Sequence, residues 1–278
     1  MKVMGRIETR FKELKEKGEK ALIAYIMAGD PSLSATSRLV LDLEEAGADI
    51  VELGVPFSDP VADGPTIQRA AGRAIGKGAN LRKIISLVQK LRKKTSIPII
   101  LMTYYNPVLH YGEQQFINDA VSAGVDGIII PDLIPDEGEY LIHLCRGNGL
   151  DTVFLLAPTS TPERVEIVSR SCTGFLYYVS ITGITGAKLM LARGIKKRIK
   201  EISKISGMPV AVGFGVSTPE EAADIAAVSD GVIVGSAIVK RIEEGKDIRP
   251  FVASLKKPLK KNIKKPLKNA LRGKEKNR

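Results

Sequence analysis

Cysteine, histidine and tryptophan are nearly missing from this 278-residue chain, which has two Cys, two His and no Trp. Cys145 and Cys172 are too few for a disulfide framework and show no CxxC or Cys/His spacing, which argues against a disulfide scaffold or a thiolate zinc site. His110 and His143 stand far apart, and His143 falls inside a stretch of helical composition. A histidine-ligated metal centre and a histidine-based nucleophilic triad therefore both lack their central residue. No apolar run reaches the roughly 18 residues of a membrane span. The opening MKVMGRIETRFKELKEKGEK carries no apolar stretch of the secretory kind. These absences lead us to expect a reduced, cytoplasmic protein with no metal and no membrane attachment.

Basic residues are plentiful, with a formal net charge of +11, but they are unevenly placed. Of the 42 Lys and Arg and 31 Asp and Glu, 11 basic residues and one acid lie between Lys256 and Arg278. Residues 1–255 are thus close to neutral, which removes the case for a nucleic-acid-binding face on the folded body. The tail repeats apolar residues every fourth position (Leu255, Leu259, Ile263, Leu267, Leu271) among lysines, with Pro258 and Pro266 interrupting any helix. Dense like charge opposes compaction, so residues 256–278 are expected to form a disordered or loosely packed extension. An amphipathic helix on an anionic surface is the competing reading.

After an opening amphipathic helix (Ile7, Phe11 and Leu14 share a face), eight apolar runs alternate with helical stretches. They are ALIAYIM (21–27), DIVELG (49–54), IPIILMTY (97–104), GIIIPDL (127–133), DTVFLLA (151–157), GFLYYVS (174–180), PVAVGFG (209–215) and GVIVGSA (231–237). Each is almost continuously apolar, the pattern of parallel strands covered on both faces. Two helix-to-strand joints resemble each other, Ala46-Gly47-Ala48-Asp49 and Ala123-Gly124-Val125-Asp126. Eight such units predict an α/β chain folded as a single-domain (β/α)8 TIM barrel over residues 1–255, with an extra N-terminal helix and the basic C-terminal tail. An open doubly wound sheet would bring a Gly-rich turn after its first strand, but that turn reads AGDPSLS.

Chemistry in such a barrel sits at the C-terminal strand ends. Gly213, Gly215, Gly235 and Ser236 fall at the ends of the last two strands, where backbone N–H groups and a helix start can hold a phosphate; tight turns are the plain alternative. The expected strands contain no lysine, which leaves a Schiff-base mechanism without its nucleophile, and Lys188 lies well past its strand. Carboxylates remain. Glu52 interrupts the apolar VELG, two residues before Gly54, where burial would raise its pKa and suit it to giving and taking a proton. Asp63 follows on a loop stiffened by proline and glycine. Pairing of Glu52 with a buried cation, and a turn-forming role for Asp59 and Asp63, are the structural alternatives.

The stretch ELGVPFSDPVADGPTIQ (52–68) closely resembles the signature of the tryptophan synthase alpha chain family. The similarity continues in GDP (29–31), YYNP (104–107), IIPDL (129–133), LLAPTS (155–160), YYVSITGITG (177–186), AVGFGVSTPEE (211–221) and VIVGSAIV (232–239). This resemblance implies retro-aldol cleavage of indole-3-glycerol phosphate to indole and glyceraldehyde 3-phosphate, without metal or Schiff base. It implies that Glu52 moves protons at the indole ring carbon and the glycerol hydroxyl, and that Asp63 offsets positive charge at the indole N–H. Tyr177 would line the site, and Gly186, Gly213, Gly215, Gly235 and Ser236 would hold phosphate. Tyr25, Ile67, Met102, Ile129 and Leu156 would enclose the indole, with Tyr25 standing where the family has phenylalanine. The implied partner is a beta chain carrying pyridoxal phosphate in an alpha2beta2 tetramer, the alpha chain itself needing no cofactor. Loops holding Pro56, Asp59 and Thr185 would close over substrate and face that partner. The absence of tryptophan suits an enzyme that makes it. A sugar-phosphate isomerase or epimerase would need a strand-end lysine, a Cys/Asp pair or a metal, and an RNA- or membrane-surface-binding protein would depend on the tail.

Overall fold

In a computed structural model describing residues 4–179, 188–213 and 215–260, the apolar runs become nine parallel strands. These are β1 (Ala21–Met27), β2 (Ile50–Gly54), β3 (Ile99–Met102), β4 (Gly127–Ile129), β5 (Asp151–Val153), β6 (Leu155–Leu156), β7 (Leu176–Val179), β8 (Val210–Gly213) and β9 (Gly231–Val234). Their order is β5-β4-β3-β2-β1-β9-β8-β7-β6. The edge strands β5 and β6 are consecutive in the chain, two halves of the single strand expected over 151–157, so the sheet curls into a (β/α)8 barrel. The break falls at Phe154, whose N–H donates to the Cys172 thiol at 3.2 Å instead of to a neighbouring strand.

Twelve helices surround the described strands. Before the barrel comes α1 (Arg6–Lys17), and its first half carries α2 (Leu33–Glu45), α3 (Pro65–Gly76), α4 (Leu81–Leu91), α5 (Tyr105–Tyr111), α6 (Glu113–Ala123) and α7 (Glu139–Gly147). The second half carries α8 (Pro162–Ser171), α9 (Lys188–Ser206), α10 (Pro219–Ala226), α11 (Ser236–Glu243) and α12 (Arg249–Lys256). Thr218 caps α10, its hydroxyl accepting from the Glu221 N–H, while Glu221 reaches back to the Ser217 N–H. This is a capping-box exchange shifted by one residue.

Parallel register decides which side chains face inward. Tyr25 pairs with Glu52 and Glu52 with Ile100, so all three point into the barrel. With them Ile23, Ile50, Ile129, Val153, Phe175, Ala211 and Ile233 fill the interior. Ile7, Phe11 and Leu14 of α1 join this cluster, with the Phe11 and Phe175 rings 5.6 Å apart. Helix α1 thus plugs the N-terminal end and leaves only the C-terminal end open for chemistry.

The repeated Gly-x-Asp joints also find a reason. Gly47 and Gly124 adopt positive φ (99° and 85°), which ends the preceding helix at little steric cost. The aspartate two residues later reaches sideways. Asp49 accepts from the Leu22 N–H and Asp126 from the Ile99 N–H, both at 2.7 Å. Asp230 does the same for Val210 at 3.1 Å. Each carboxylate pins the start of its own strand to the strand beside it.

Packed structure continues beyond Leu255, the expected end of the barrel. Lys256 is 3% exposed, and a 3-10 turn over Lys257–Leu259 buries Leu259. Residues 261–278 lie outside the described residues.

Candidate active site

A cleft of about 680 Å³ opens at the C-terminal ends of the strands. Both expected carboxylates reach it. Glu52 sits on its floor, fully buried, and neither of its oxygens meets a hydrogen-bond donor among the described residues. No cation pairs with it there, so the alternative of a structural ion pair finds no support in the described structure. Burial alone pushes its carboxyl up to about 8 from 4.5. A protonated, unpartnered acid in an apolar mouth is costly to fold and poised to give a proton.

Asp63 stands on the wall, half-buried, two residues before α3. Partial burial raises its carboxyl, and a hydrogen bond from Tyr104 opposes the rise. Tyr104 also accepts from the Ala62 N–H at 3.0 Å, while Gln68 on the first turn of α3 donates to the Asp63 carbonyl at 2.8 Å. The loop that presents Asp63 is therefore held from both sides. Burial first, then the nearby charges of Asp63 and Glu52, keeps the Tyr25 hydroxyl well above its usual range, so this phenol stays neutral. Asp59 is exposed and accepts from the Ser58 hydroxyl at 2.5 Å, while Pro56 is buried. Asp59 has the surroundings of a turn former rather than of a cleft residue.

Nine of the thirteen expected site residues line the cleft: Glu52, Asp63, Tyr25, Ile67, Met102, Tyr177, Gly215, Gly235 and Ser236. Gly215 takes φ 76°, and Gly235 immediately precedes α11, whose first residues Ser236 and Ala237 face the same space. The first N–H groups of a helix have no intrahelical acceptor and carry the positive end of its dipole, so this corner suits a phosphate.

The remaining four are placed otherwise. Gly186, with Thr185 beside it, lies outside the described residues. Ile129 is fully buried in the barrel interior, in register with Met102, and does not border the cleft. Leu156 pairs with Tyr178, and both face outward into the cluster beneath α8 and α9. The inward neighbour is Leu155, in register with Tyr177. Gly213 faces inward but does not border the cleft, because the Tyr177 ring lies over it. A Cβ at position 213 would stand 2.6 Å from the Tyr177 hydroxyl oxygen. Gly54 makes the same room for Tyr25, at 2.1 Å. Gly213→Ala is therefore expected to act by displacing the Tyr177 ring, destabilising the fold by about 1–3 kcal/mol as overpacking does. Urea unfolding of that variant checks the value, and an unchanged midpoint would mean the ring is not held there.

Sequence reasoning missed Tyr104 as the hydrogen-bond partner of Asp63, although it lay in the quoted YYNP. It also missed Thr66, Ser217 and Ile233, and the basic residues Lys240, Arg241 and Lys246 that extend the cleft beside α11. Among the described residues no group of three or more His, Cys, Asp or Glu is arranged to hold a metal ion.

The family model described as tryptophan synthase alpha chain matches residues 11–268. A tryptophan synthase alpha chain of Geobacter sp. (strain M21) is 52% identical over 241 residues, covering 87% of this chain and 90% of that one. The crystal structure of tryptophan synthase subunit alpha from Legionella pneumophila str. Paris superimposes with a TM-score of 0.85 at 36% identity, over 92% of this chain and 99% of that chain. A chain of Mycobacterium tuberculosis tryptophan synthase gives 0.86 at 37% identity, over 94% and 100%.

Proposed function

The chain belongs to the tryptophan synthase alpha chain family, and from that premise we propose how its cleft divides the work of the reaction. The protein is a lyase that cleaves indole-3-glycerol phosphate in tryptophan biosynthesis. Two proton transfers accompany breakage of the bond between the indole ring and the glycerol chain. The ring carbon gains a proton as it leaves, and the glycerol hydroxyl loses one as it becomes the aldehyde of glyceraldehyde 3-phosphate.

Glu52 performs both. Its burial without a partner is the observation that carries this assignment, because it leaves the carboxyl protonated at neutral pH and ready to donate to the ring carbon. The resulting carboxylate then accepts the hydroxyl proton, so the enzyme ends the cycle as it began. Asp63 has a partly buried carboxyl steadied by Tyr104 and supplies negative charge where the indole N–H becomes positive. Tyr25, Ile67, Met102 and Tyr177 enclose the indole. Gly235 and Ser236 hold the phosphate through backbone N–H groups at the start of α11, with Gly215 on the loop after β8 lining the same cleft. Gly186 belongs to the same phosphate assignment on the family resemblance alone.

The family implies a beta chain as partner. An assembly of two alpha and two beta chains, with pyridoxal phosphate in the beta chain and no cofactor in this one, is part of the proposal. So is a cytoplasmic location, in keeping with free buried thiols at Cys145 and Cys172. Among the described residues no helix is long and apolar enough to cross a membrane.

The test is incubation of the purified chain with indole-3-glycerol phosphate while following indole. Asp63→Asn should lower kcat by roughly 100-fold or more and move KM little, since a neutral amide keeps the shape but not the charge. An effect confined to KM would remove the electrostatic role of Asp63.

A further inference from the structure

Outside the cleft, four charged side chains join the two helices that open onto it. Helix α3 begins two residues after Asp63, and α11 begins immediately after Gly235. The seam between them is apolar, with Ile67, Ala70, Ala71 and Ala74 of α3 in one cluster with Val239 of α11. Small alanines permit close approach but do not fix how the helices slide or rotate. Direction comes from the ion cluster beside this seam. The Arg73 Nε and Nη2 donate to both oxygens of Asp30, just past β1, at 2.9 and 2.7 Å. Its third nitrogen, Nη1, donates to Glu243 on the last turn of α11 at 2.8 Å. Arg69, one turn earlier on α3, forks onto the same Glu243 at 3.0 and 3.1 Å.

We propose that Arg73 is a positioning residue for the reaction, setting Asp63 at the head of α3 against the phosphate corner at the head of α11. The inference rests on the role of Asp63 assigned above. Forked guanidinium–carboxylate pairs define orientation as well as distance, and Arg73 spends its fork on a carboxylate that is 3% exposed. The two arginines hold the Glu243 carboxyl down near 2, so the tether stays charged across any practical assay range. Because α3 runs as one helix from Pro65 to Gly76, a change of its pose at Arg73 is carried rigidly to the loop holding Asp63.

Glu243→Ala is the decisive variant, because it removes both acceptor oxygens, cutting α11 from both arginines, and leaves the Arg73–Asp30 pair in place. It should lower kcat by roughly 3- to 10-fold and raise KM for indole-3-glycerol phosphate, the range expected of coupled neighbours. In an Asp63→Asn background the same change should cost less than about 2-fold in kcat, since the carboxylate it helps to place is gone. A purely structural pair would cost the same factor in both backgrounds, and that result, or no loss in either, overturns the proposal. Arg73→Lys should reproduce the kcat loss, because an ammonium cannot fork; full kcat in that variant also overturns it. Failure of the unaltered chain to release indole would instead overturn the functional reading.

Discussion

Glu52→Gln should silence indole release and, in the same protein, raise stability at pH 8. The first effect follows from chemistry, since an amide cannot relay a proton. General acid–base groups contribute about 10²–10⁴-fold, and a residue serving both transfers belongs at the upper end. The second follows from burial. In the folded chain the carboxyl titrates at about 8, against 4.5 when free. Below pH 4.5 the folded and unfolded chains are both protonated, and Glu52 costs no stability through titration. Between 4.5 and 8 the unfolded chain has released its proton while the folded chain still holds one, so stability falls as pH rises. Above about 8 the loss is complete, at roughly 5 kcal/mol as an order of magnitude. Glutamine does not titrate, so the gap between the two proteins should open from pH 4.5 and level off near pH 8. Burying its own unpartnered amide offsets part of the gain. With about 2–4 °C per kcal/mol for a chain of this size, thermal melts at pH 4.5, 6.5 and 8.5 resolve the trend. A gap that does not widen with pH would dismiss burial as the source of the raised pKa. The unaltered enzyme carries a related expectation: kcat/KM should fall above about pH 8 as the proton donor is lost.

The same residue shows what a sequence makes legible. Parallel strands buried on both faces are continuously apolar, so the runs announced their existence but hid which side chains point inward. Glu52 was readable because it breaks its run, and only a costly reason keeps a carboxylate there. In DTVFLLA nothing distinguishes one face from the other, and the family resemblance puts Leu156 at the indole although Leu155 shares the inward face with Tyr177. The break at Phe154 was equally hidden, because it depends on the thiol of Cys172, eighteen residues away. Gly213 illustrates a different limit. A glycine that admits a ligand and one that admits a tyrosine ring look alike in one dimension, and here the ring of Tyr177 occupies the space. Tyr104 completes the pattern, since its meaning rests on Asp63 reaching it from another loop. What the sequence withheld was contact between distant segments.

The largest such contact concerns where the folded unit ends. A chain stopped at Leu255 should be far less stable than one stopped at Lys260. A run of lysines reads as a solvated tail, yet the first of them is spent inside. The Lys256 ammonium, 4% exposed, donates to Asp49 at 2.6 Å and to the Lys20 carbonyl at 3.0 Å. Asp49 is the carboxylate that pins β1 to β2 through the Leu22 N–H. Three residues on, Leu259 is 1% exposed and its carbonyl accepts from the Lys20 N–H at 3.1 Å. Stopping at Leu255 removes one partner of a buried pair, which costs about 3–5 kcal/mol, and a buried leucine worth about 1.5–3 kcal/mol. The sum is comparable with the whole stability of many domains, which is about 5–15 kcal/mol. Stopping at Lys260 keeps every one of these contacts. All of them gather where β1 and β2 begin, at the end of the barrel opposite the cleft. Molecules of the shorter chain that remain folded should therefore cleave indole-3-glycerol phosphate with near-normal kcat, and the defect should show as a lower urea midpoint. Lys256→Met in the full-length chain separates the terms, because it keeps the apolar stem and Leu259 while leaving Asp49 without its cation. It should lose about 3 kcal/mol, the larger share. Equal urea midpoints for the chains ending at Leu255 and Lys260 would place the end of the folded unit at Leu255 after all.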